Sequence, residues 1–243
     1  MFSAQEKTTI LQALHSGKLT VQGQFVMGSN YTFLAKVETD ELSYAAVYKP
    51  TRGEQPLWDF PTNSLAKREA AAFILSEALG WNLVPPTVYR RKGPLGAGSL
   101  QIFIPHEPEY HYFKFTPEDH QRLRPTAAFD LLVNNADRKG SHILKDESGH
   151  LWLIDQGLCF HVEDKLRTVI WEFAGSNVPE ELLKDIERIA PGLAKDGELF
   201  LQLKGLLRLS EIRAIQRRGL RLLQSPIYPF PPAGPRPYPW PPV

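Results

Sequence analysis

The sequence has little of what would place this protein in a membrane or in an oxidising compartment. Its single cysteine, Cys159, excludes an internal disulfide framework and fits a reducing environment. No stretch approaches the roughly 18 consecutive apolar residues that a membrane-spanning helix needs. The first residues also lack the basic and apolar regions of a secretory signal. We therefore expect a soluble, cytoplasmic protein with no transmembrane segment.

The sequence also has almost equal numbers of positive and negative residues. Lysine and arginine number 28 and aspartate and glutamate 27, which gives a net charge of +1. Such a chain has no broad positive field to attract nucleic acid, so nucleic acid is not an expected partner. The hydrophobic share of 42% and the charged share of 23% are ordinary for a globular protein, and 243 residues suffice for one domain or two small lobes.

Proline is plentiful, and much of it lies at the end of the chain. Residues 225–243 interleave prolines with four aromatic residues, and such a segment favours extended polyproline II structure over helix or sheet. Three interpretations are open for this tail. It binds an aromatic groove on a partner, wraps over its own domain, or is disordered.

Residues 131–160 form the most informative stretch. An apolar helix end leads into a loop with Asp137, two short apolar runs follow around a turn, and the second run stops at Asp155. The two carboxylates are 18 positions apart, but a hairpin between them folds their positions together. One carboxylate can orient and deprotonate a hydroxyl while the other holds Mg²⁺ on nucleotide phosphates. The plainer alternative is that each aspartate serves a turn.

The first part of the chain predicts antiparallel strands at 19–26, 31–37 and 42–49. The turn after the first strand contains Ser29 and Asn30 and is a candidate phosphate-covering loop, with an ordinary hairpin turn as the alternative. Lys49 ends the third apolar run, where an ammonium with a buried stem needs an anionic partner.

A helix is predicted from residue 63 or 64 to Gly80, with Glu69 near its middle beside the apolar stripe. Glu69 is either a partner for Lys49 or a solvated helix residue. Two more strands follow, at 83–90 and 99–104. The chain then turns helical, with Thr116 and Pro117 as a helix start and a further helix leading to Asp137.

The stretch NADRKGSHIL followed by LIDQGLCF resembles the catalytic and metal-binding segments of the phosphatidylinositol 3-/4-kinase-like family. It is most similar to the type II phosphatidylinositol 4-kinases and to a branch of small bacterial proteins. By this resemblance Asp137 is catalytic, and His142 and Asp155 bind metal. His142 departs from the pattern, because the family has asparagine at that position.

The resemblance implies an α+β, two-lobed protein-kinase-like fold. The expected N-lobe is an antiparallel sheet with one main helix at 1–104, the C-lobe is mostly helical at 105–224, and the proline-rich tail follows at 225–243. Glu69 is expected to pair with Lys49 and aim it at the phosphates. Phe103 and Ile104 lie where an interlobe hinge would hold adenine.

The implied activity is transfer of the γ-phosphate of ATP, with Mg²⁺ or alternatively Mn²⁺, to a hydroxyl acceptor. Arg138 or its neighbour Lys139 would neutralise charge on the transferred group. The acceptor stays open between a protein, a small molecule and a phosphoinositide. Two other hypotheses remain: a nucleotide-binding pseudokinase that acts through its tail, and transfer of a nucleotidyl group.

Overall fold

The computed structural model describes residues 2–25, 31–232 and 237–243. A five-stranded sheet with antiparallel neighbours dominates the first part of the chain, in the order β1-β2-β3-β5-β4. Its strands are β1 (Lys18–Gln24), β2 (Phe33–Glu38), β3 (Ser43–Pro50), β4 (Thr87–Arg90) and β5 (Gly98–Ile102). The sheet therefore places Lys49, near the end of β3, in its central strand.

Helix α1 (Ala4–Ser16) precedes the sheet and packs on it through Ile10 and Leu14. Ser3 and Glu6 form a capping box, in which each side chain contacts the other residue's backbone N–H. Because this arrangement satisfies N–H groups that have no partner within the helix, it fixes where α1 begins.

Helix α2 (Leu65–Leu79) is the main helix of this lobe. Glu54, in the preceding loop, accepts hydrogen bonds from the backbone N–H groups of Leu65 and Ala66 at 3.2 and 2.9 Å. The carboxylate satisfies free amides and also faces the positive end of the helix dipole. At the other end, Gly80 adopts a left-handed conformation with φ of 75°. These two ends set the position of Glu69 along the helix.

The remainder of the chain is mostly helical. Its helices are α3 (Pro117–Gln121), α4 (Arg124–Val133), α5 (Glu180–Leu193), α6 (Glu198–Leu203) and α7 (Leu209–Gln224), and its hairpin consists of β6 (Ile143–Lys145) and β7 (Leu151–Leu153). Helix α4 ends at Asn134, whose left-handed conformation with φ of 54° turns the chain into the loop with Asp137. One apolar core joins α2 to α4, α5, α6 and α7 and to β6 and β7.

A buried ion pair joins α2 to α7. The Arg68 guanidinium donates to a carboxylate oxygen of Glu211 and to the backbone carbonyl of Cys159, and both side chains of the pair are almost fully buried. Since Arg68 precedes Glu69, this pair fixes the helix that carries Glu69 against the helical lobe.

We expect Glu211→Gln to lower the free energy of unfolding by about 3 kcal/mol, because it leaves the buried Arg68 charge without a counterion. Urea unfolding measures the change. The matched control is Asp164→Asn, which breaks the exposed pair between Asp164 and Arg221 and should change stability by less than about 1 kcal/mol. Equal effects of the two substitutions would contradict this account of the α2–α7 contact.

The predicted strands and helices agree with the observed elements to within a few residues, and most differences lie at strand ends. Over the described residues, no helix is both long enough and apolar enough to cross a membrane. The lobe boundary predicted between residues 104 and 105 stays a prediction.

Candidate active site

The site begins where the sheet, α2 and the hairpin meet. The Lys49 ammonium lies 2.5 Å from Glu69 Oε1 on α2 and 3.2 Å from Asp155 Oδ1, just after β7. Lys49 is 23% exposed and Glu69 only 4%, whereas Asp155 is 50% exposed. The buried Glu69 carboxylate thus holds the ammonium in place, while the ammonium and the Asp155 carboxylate remain partly exposed.

The backbone of Gln156 completes this arrangement. Its N–H donates to Glu69 Oε2 at 2.9 Å, so that both oxygens of Glu69 are engaged. Asp155 itself adopts a left-handed conformation with φ of 58°. A non-glycine residue in this conformation is uncommon and is often found at functional sites. The turn after β7 therefore both fixes Glu69 and directs the Asp155 carboxylate.

His142 faces the second oxygen of Asp155. Its Nε2 lies 3.5 Å from Asp155 Oδ2, and its side chain is 12% exposed. Burial lowers the pKa of His142 to about 4, although the Asp155 carboxylate opposes the shift. The imidazole is therefore neutral at pH 7, which is the form that binds a metal ion.

Lys49 and Asp155 each stabilise the charged form of the other. Burial would raise the pKa of Asp155, but the Lys49 ammonium and the other neighbouring cationic groups, Arg138 among them, together outweigh this effect, so the pKa lies well below its usual range. For Lys49, removal from water opposes the charged form, while Asp155 and Glu69 raise its pKa above the ordinary value. Both groups are therefore charged at neutral pH.

Asp137 lies in the loop after α4 and is 29% exposed. Its backbone N–H donates to Asn135 Oδ1 at 2.9 Å, which fixes the loop at this point. Burial raises the pKa of Asp137 to about 6, the Lys139 ammonium at 3.9 Å opposes the shift, and the Asp155 carboxylate adds to it. A carboxylate with a raised pKa is a better proton acceptor than an ordinary one.

Arg138 has a different environment from the one that was predicted. Its side chain is fully buried, and its Nε and one terminal nitrogen donate to Asp130 at 3.0–3.2 Å. The rest of the guanidinium contacts the Ile154 carbonyl and the Gln156 side chain at 3.0 Å. With a further contact to the His142 carbonyl at 3.4 Å, each guanidinium nitrogen has a partner within the protein, so these contacts do not support a role in neutralising the transferred group. Arg138 instead ties the Asp137 loop to the end of β7.

The predicted adenine-binding residues lie at the end of β5. Ile104 is buried, and Phe103 donates its backbone N–H to the Ala45 carbonyl on β3 at 3.0 Å. His106 Nδ1 lies 2.8 Å from the Ile104 carbonyl, so this carbonyl already has a hydrogen-bond partner. Contact of Phe103 and Ile104 with adenine stays a prediction. Ser29 and Asn30 lie outside the described residues.

Two contributors to the site were not predicted from the sequence. Asp130 is a fully buried carboxylate on α4, and the Gln156 backbone amide bonds Glu69. The burial of Asp130 could have been predicted from the sequence, because it is an acidic residue between apolar neighbours in FDLLV. A backbone amide leaves no signal in the sequence.

The donor atoms around Asp155 fit a divalent cation that is shared with phosphate oxygens. Asp155 offers a carboxylate and His142 a neutral imidazole, and Mg²⁺ in nucleotide sites takes only one or two protein ligands beside phosphate and water. Among the described residues, no group of three or more His, Cys, Asp or Glu side chains is placed to hold a metal ion.

Comparisons with solved structures find similar folds, among them those of two proteins described as kinases. The structure of hydra Fam20 with sugar matches with a TM-score of 0.60 at 16% identity, over 92% of this chain and 89% of that chain. The Golgi casein kinase with Mn/ADP bound matches with a TM-score of 0.62 at 15% identity, over 92% and 76%. The Helicobacter pylori proinflammatory kinase CtkA matches with a TM-score of 0.54 at 11% identity, over 88% and 94%. These likenesses confirm the two-lobed, protein-kinase-like α+β fold.

No family model matches the chain. A search of curated proteins finds Protein Rv2133c of Mycobacterium tuberculosis, which is 40% identical over an alignment of 263 positions. The match covers 94% of this chain and 93% of that protein. The chain therefore belongs to the family of the mycobacterial Protein Rv2133c and has a protein-kinase-like fold.

Proposed function

We propose that this protein is an ATP-dependent phosphotransferase that moves the γ-phosphate to a hydroxyl group. One observation carries the proposal: Lys49 is held between the buried Glu69 and the exposed Asp155, with Asp137 in the neighbouring loop. An ammonium fixed in this way is suited to nucleotide phosphates. The likeness in fold to a kinase with Mn/ADP bound supports a nucleotide and a divalent metal as cofactors.

The residues take separate roles in this proposal. Lys49 contacts the phosphates, and Glu69 positions Lys49. Asp137 orients the acceptor hydroxyl and takes its proton, so that the oxygen can attack the γ-phosphorus while the bond to the β-phosphate breaks. Lys139, 3.9 Å from Asp137, is the cation placed to offset charge on the transferred group.

Asp155 and His142 would hold the divalent metal, whose contribution when bound is to neutralise charge on the β- and γ-phosphate oxygens. Imidazole favours transition metals over Mg²⁺, which prefers oxygen ligands. The presence of His142 therefore indicates a preference for Mn²⁺.

We expect His142→Asn to reduce the preference for Mn²⁺ over Mg²⁺ by about tenfold, because an amide oxygen replaces the ring nitrogen. The readout is Mn²⁺ binding with ADP, followed by electron paramagnetic resonance, with Mg²⁺ as competitor. His150→Asn is the control, since His150 bonds the Asn82 carbonyl and lies outside the site. An unchanged Mn²⁺ to Mg²⁺ ratio would remove His142 from the metal site.

The acceptor and the closer family relationship are parts of the same proposal. The stretches NADRKGSHIL and LIDQGLCF support the phosphatidylinositol 3-/4-kinase-like branch, whereas the order of Lys49, Glu69, Asp137 and Asp155 is common to kinase-like folds. A phosphoinositide acceptor would be consistent with that branch, and a protein or small-molecule hydroxyl would be consistent with the general site chemistry. A cytoplasmic location stays a prediction.

The test compares ATP labelled on the α-phosphate with ATP labelled on the γ-phosphate, incubated with the protein, Mg²⁺ or Mn²⁺ and a panel of acceptors. Label transferred only from the γ-position, with ADP as product, is the expected result. Label transferred from the α-position would show nucleotidyl transfer instead and would overturn the proposal.

A second candidate is a nucleotide-binding pseudokinase. The observation that favours it is the position of the tail, whose Pro242 carbonyl accepts a hydrogen bond from the backbone of Gly140, three positions after Asp137. Nucleotide binding without any turnover that depends on Asp137, over the whole acceptor panel, would favour this candidate over the enzyme.

A further inference from the structure

Two parts of the tail, around Tyr228 and at residues 237–243, form hydrogen bonds with the helical lobe. Its first part pairs with the segment that precedes α5: Tyr228 donates its backbone N–H to the Ser176 carbonyl at 3.0 Å, and Gly175 donates to the Tyr228 carbonyl at 2.9 Å. Tyr228 is buried, and its hydroxyl donates to the Arg124 carbonyl at 2.8 Å. The beginning of the tail is therefore anchored to the domain.

The end of the tail, residues 237–243, lies against the loop that carries Asp137. The Pro237 carbonyl accepts hydrogen bonds from Thr168 N–H at 3.1 Å and from the Trp171 indole N–H at 3.3 Å. The Pro242 carbonyl accepts one from Gly140 N–H at 2.8 Å. Three donors from the Asp137 loop and the segment beyond Asp155 thus point at two carbonyls of one segment, residues 237–243.

This contact is made mainly by carbonyl groups. Pro239 is buried, whereas the rings of Tyr238 and Trp240 are 50% and 84% exposed. Proline-rich segments lose little conformational entropy on binding, because proline fixes φ. A polypeptide with two carbonyls at a similar spacing would satisfy the same three donors.

The tail also lacks the group that a kinase would modify most readily. Residues 226–243 contain no serine and no threonine. Their two hydroxyls are phenols: that of Tyr228 is engaged, and that of Tyr238 belongs to a half-exposed side chain. A segment without an aliphatic hydroxyl can occupy an acceptor groove without being converted to product.

We propose that Gly140, Thr168 and Trp171 form a groove for a polypeptide acceptor, and that residues 237–243 occupy this groove as an intramolecular pseudosubstrate. The inference rests on the proposed function and adds the class of acceptor to it. A tethered segment acts at an effective concentration in the millimolar range. A peptide acceptor at micromolar concentration therefore competes poorly until the tail is released.

The experiment uses the full-length protein with Pro239→Asp, which forces a carboxylate into a buried position and should release the end of the tail. The matched control is Pro229→Asp, at an exposed proline nearer the anchor. Trp171→Phe, which removes one donor and keeps an aromatic ring, is a second variant with a smaller expected effect. Thermal unfolding checks that each variant is folded.

Two readouts do not depend on activity. Amide hydrogen exchange at Gly140 and Thr168 should be at least about tenfold faster in Pro239→Asp than in wild type, and unchanged in Pro229→Asp. A labelled synthetic peptide with the sequence of residues 237–243 should bind Pro239→Asp and not wild type. Unchanged exchange together with no peptide binding would overturn the groove.

The third readout is phosphorylation of an extended, serine-containing peptide, which should be about tenfold faster with Pro239→Asp than with wild type. Equal rates in the two proteins would overturn the polypeptide acceptor. So would a result in which phosphoinositide vesicles are phosphorylated and the peptide is not. If the tail peptide binds but no variant turns over ATP, the groove stands and the proposed phosphotransferase is wrong.

Discussion

Asp137→Asn is expected to lower the rate of phosphoryl transfer by a factor of about 10²–10⁴, the usual contribution of a positioned proton acceptor. The amide fills the same space but cannot take a proton from the acceptor hydroxyl. Nucleotide binding should be nearly unchanged, because Lys49, Glu69 and Asp155 remain in contact. Formation of ADP and of labelled acceptor gives the rate, and a fluorescent ATP analogue gives the binding constant.

The control for this prediction is Asp40→Asn, which makes the same chemical change at an exposed residue between β2 and β3. It should leave both quantities unchanged. If Asp137→Asn kept more than about a tenth of the wild-type rate, Asp137 would not be the proton acceptor.

Asp130→Ala is expected to reduce the free energy of unfolding by about 3–5 kcal/mol, the cost of leaving a buried charge without its partner. Asp130 and Arg138 are both fully buried, and the carboxylate accepts three hydrogen bonds of 3.0–3.2 Å from the guanidinium. Without it, Arg138 would retain only its contacts with the Ile154 carbonyl, the His142 carbonyl and the Gln156 side chain. Chemical denaturation measures the change.

Glu180→Gln serves as the control, because Glu180 and Lys184 form an exposed pair on α5 that should contribute less than about 1 kcal/mol. A loss of under 1 kcal/mol for Asp130→Ala would mean that Arg138 does not depend on this carboxylate. The Asp137 loop would then have to be held by other contacts.

Lys49, Glu69 and Asp155 could be predicted as site residues because the sequence around each one indicates its position on a strand or helix. Lys49 ends an apolar strand, Glu69 lies on a helix bounded by a cap and a glycine, and Asp155 ends the second strand of a hairpin. The pairing of Lys49 with Glu69 came from the family resemblance, and the structure brings both together with Asp155.

The parts that could not be predicted depend on groups that approach only in the folded chain. Arg68 and Glu211 are 143 positions apart, and neither has a neighbour in the sequence that marks it as buried. The position of Arg138 beside Asp137 predicts a role at the transferred group. In the folded chain Arg138 is instead buried and paired with Asp130. For the tail, the prolines predict an extended chain, whereas its location depends on N–H groups of other segments.

The most direct test of the central claim is a crystal structure with a non-hydrolysable ATP analogue and Mn²⁺. The account predicts the β- and γ-phosphates on Lys49, the metal between Asp155 and His142, and the γ-phosphate facing Asp137. A nucleotide bound elsewhere, or one whose phosphates contact neither Lys49 nor a metal on Asp155, would contradict the phosphotransferase assignment.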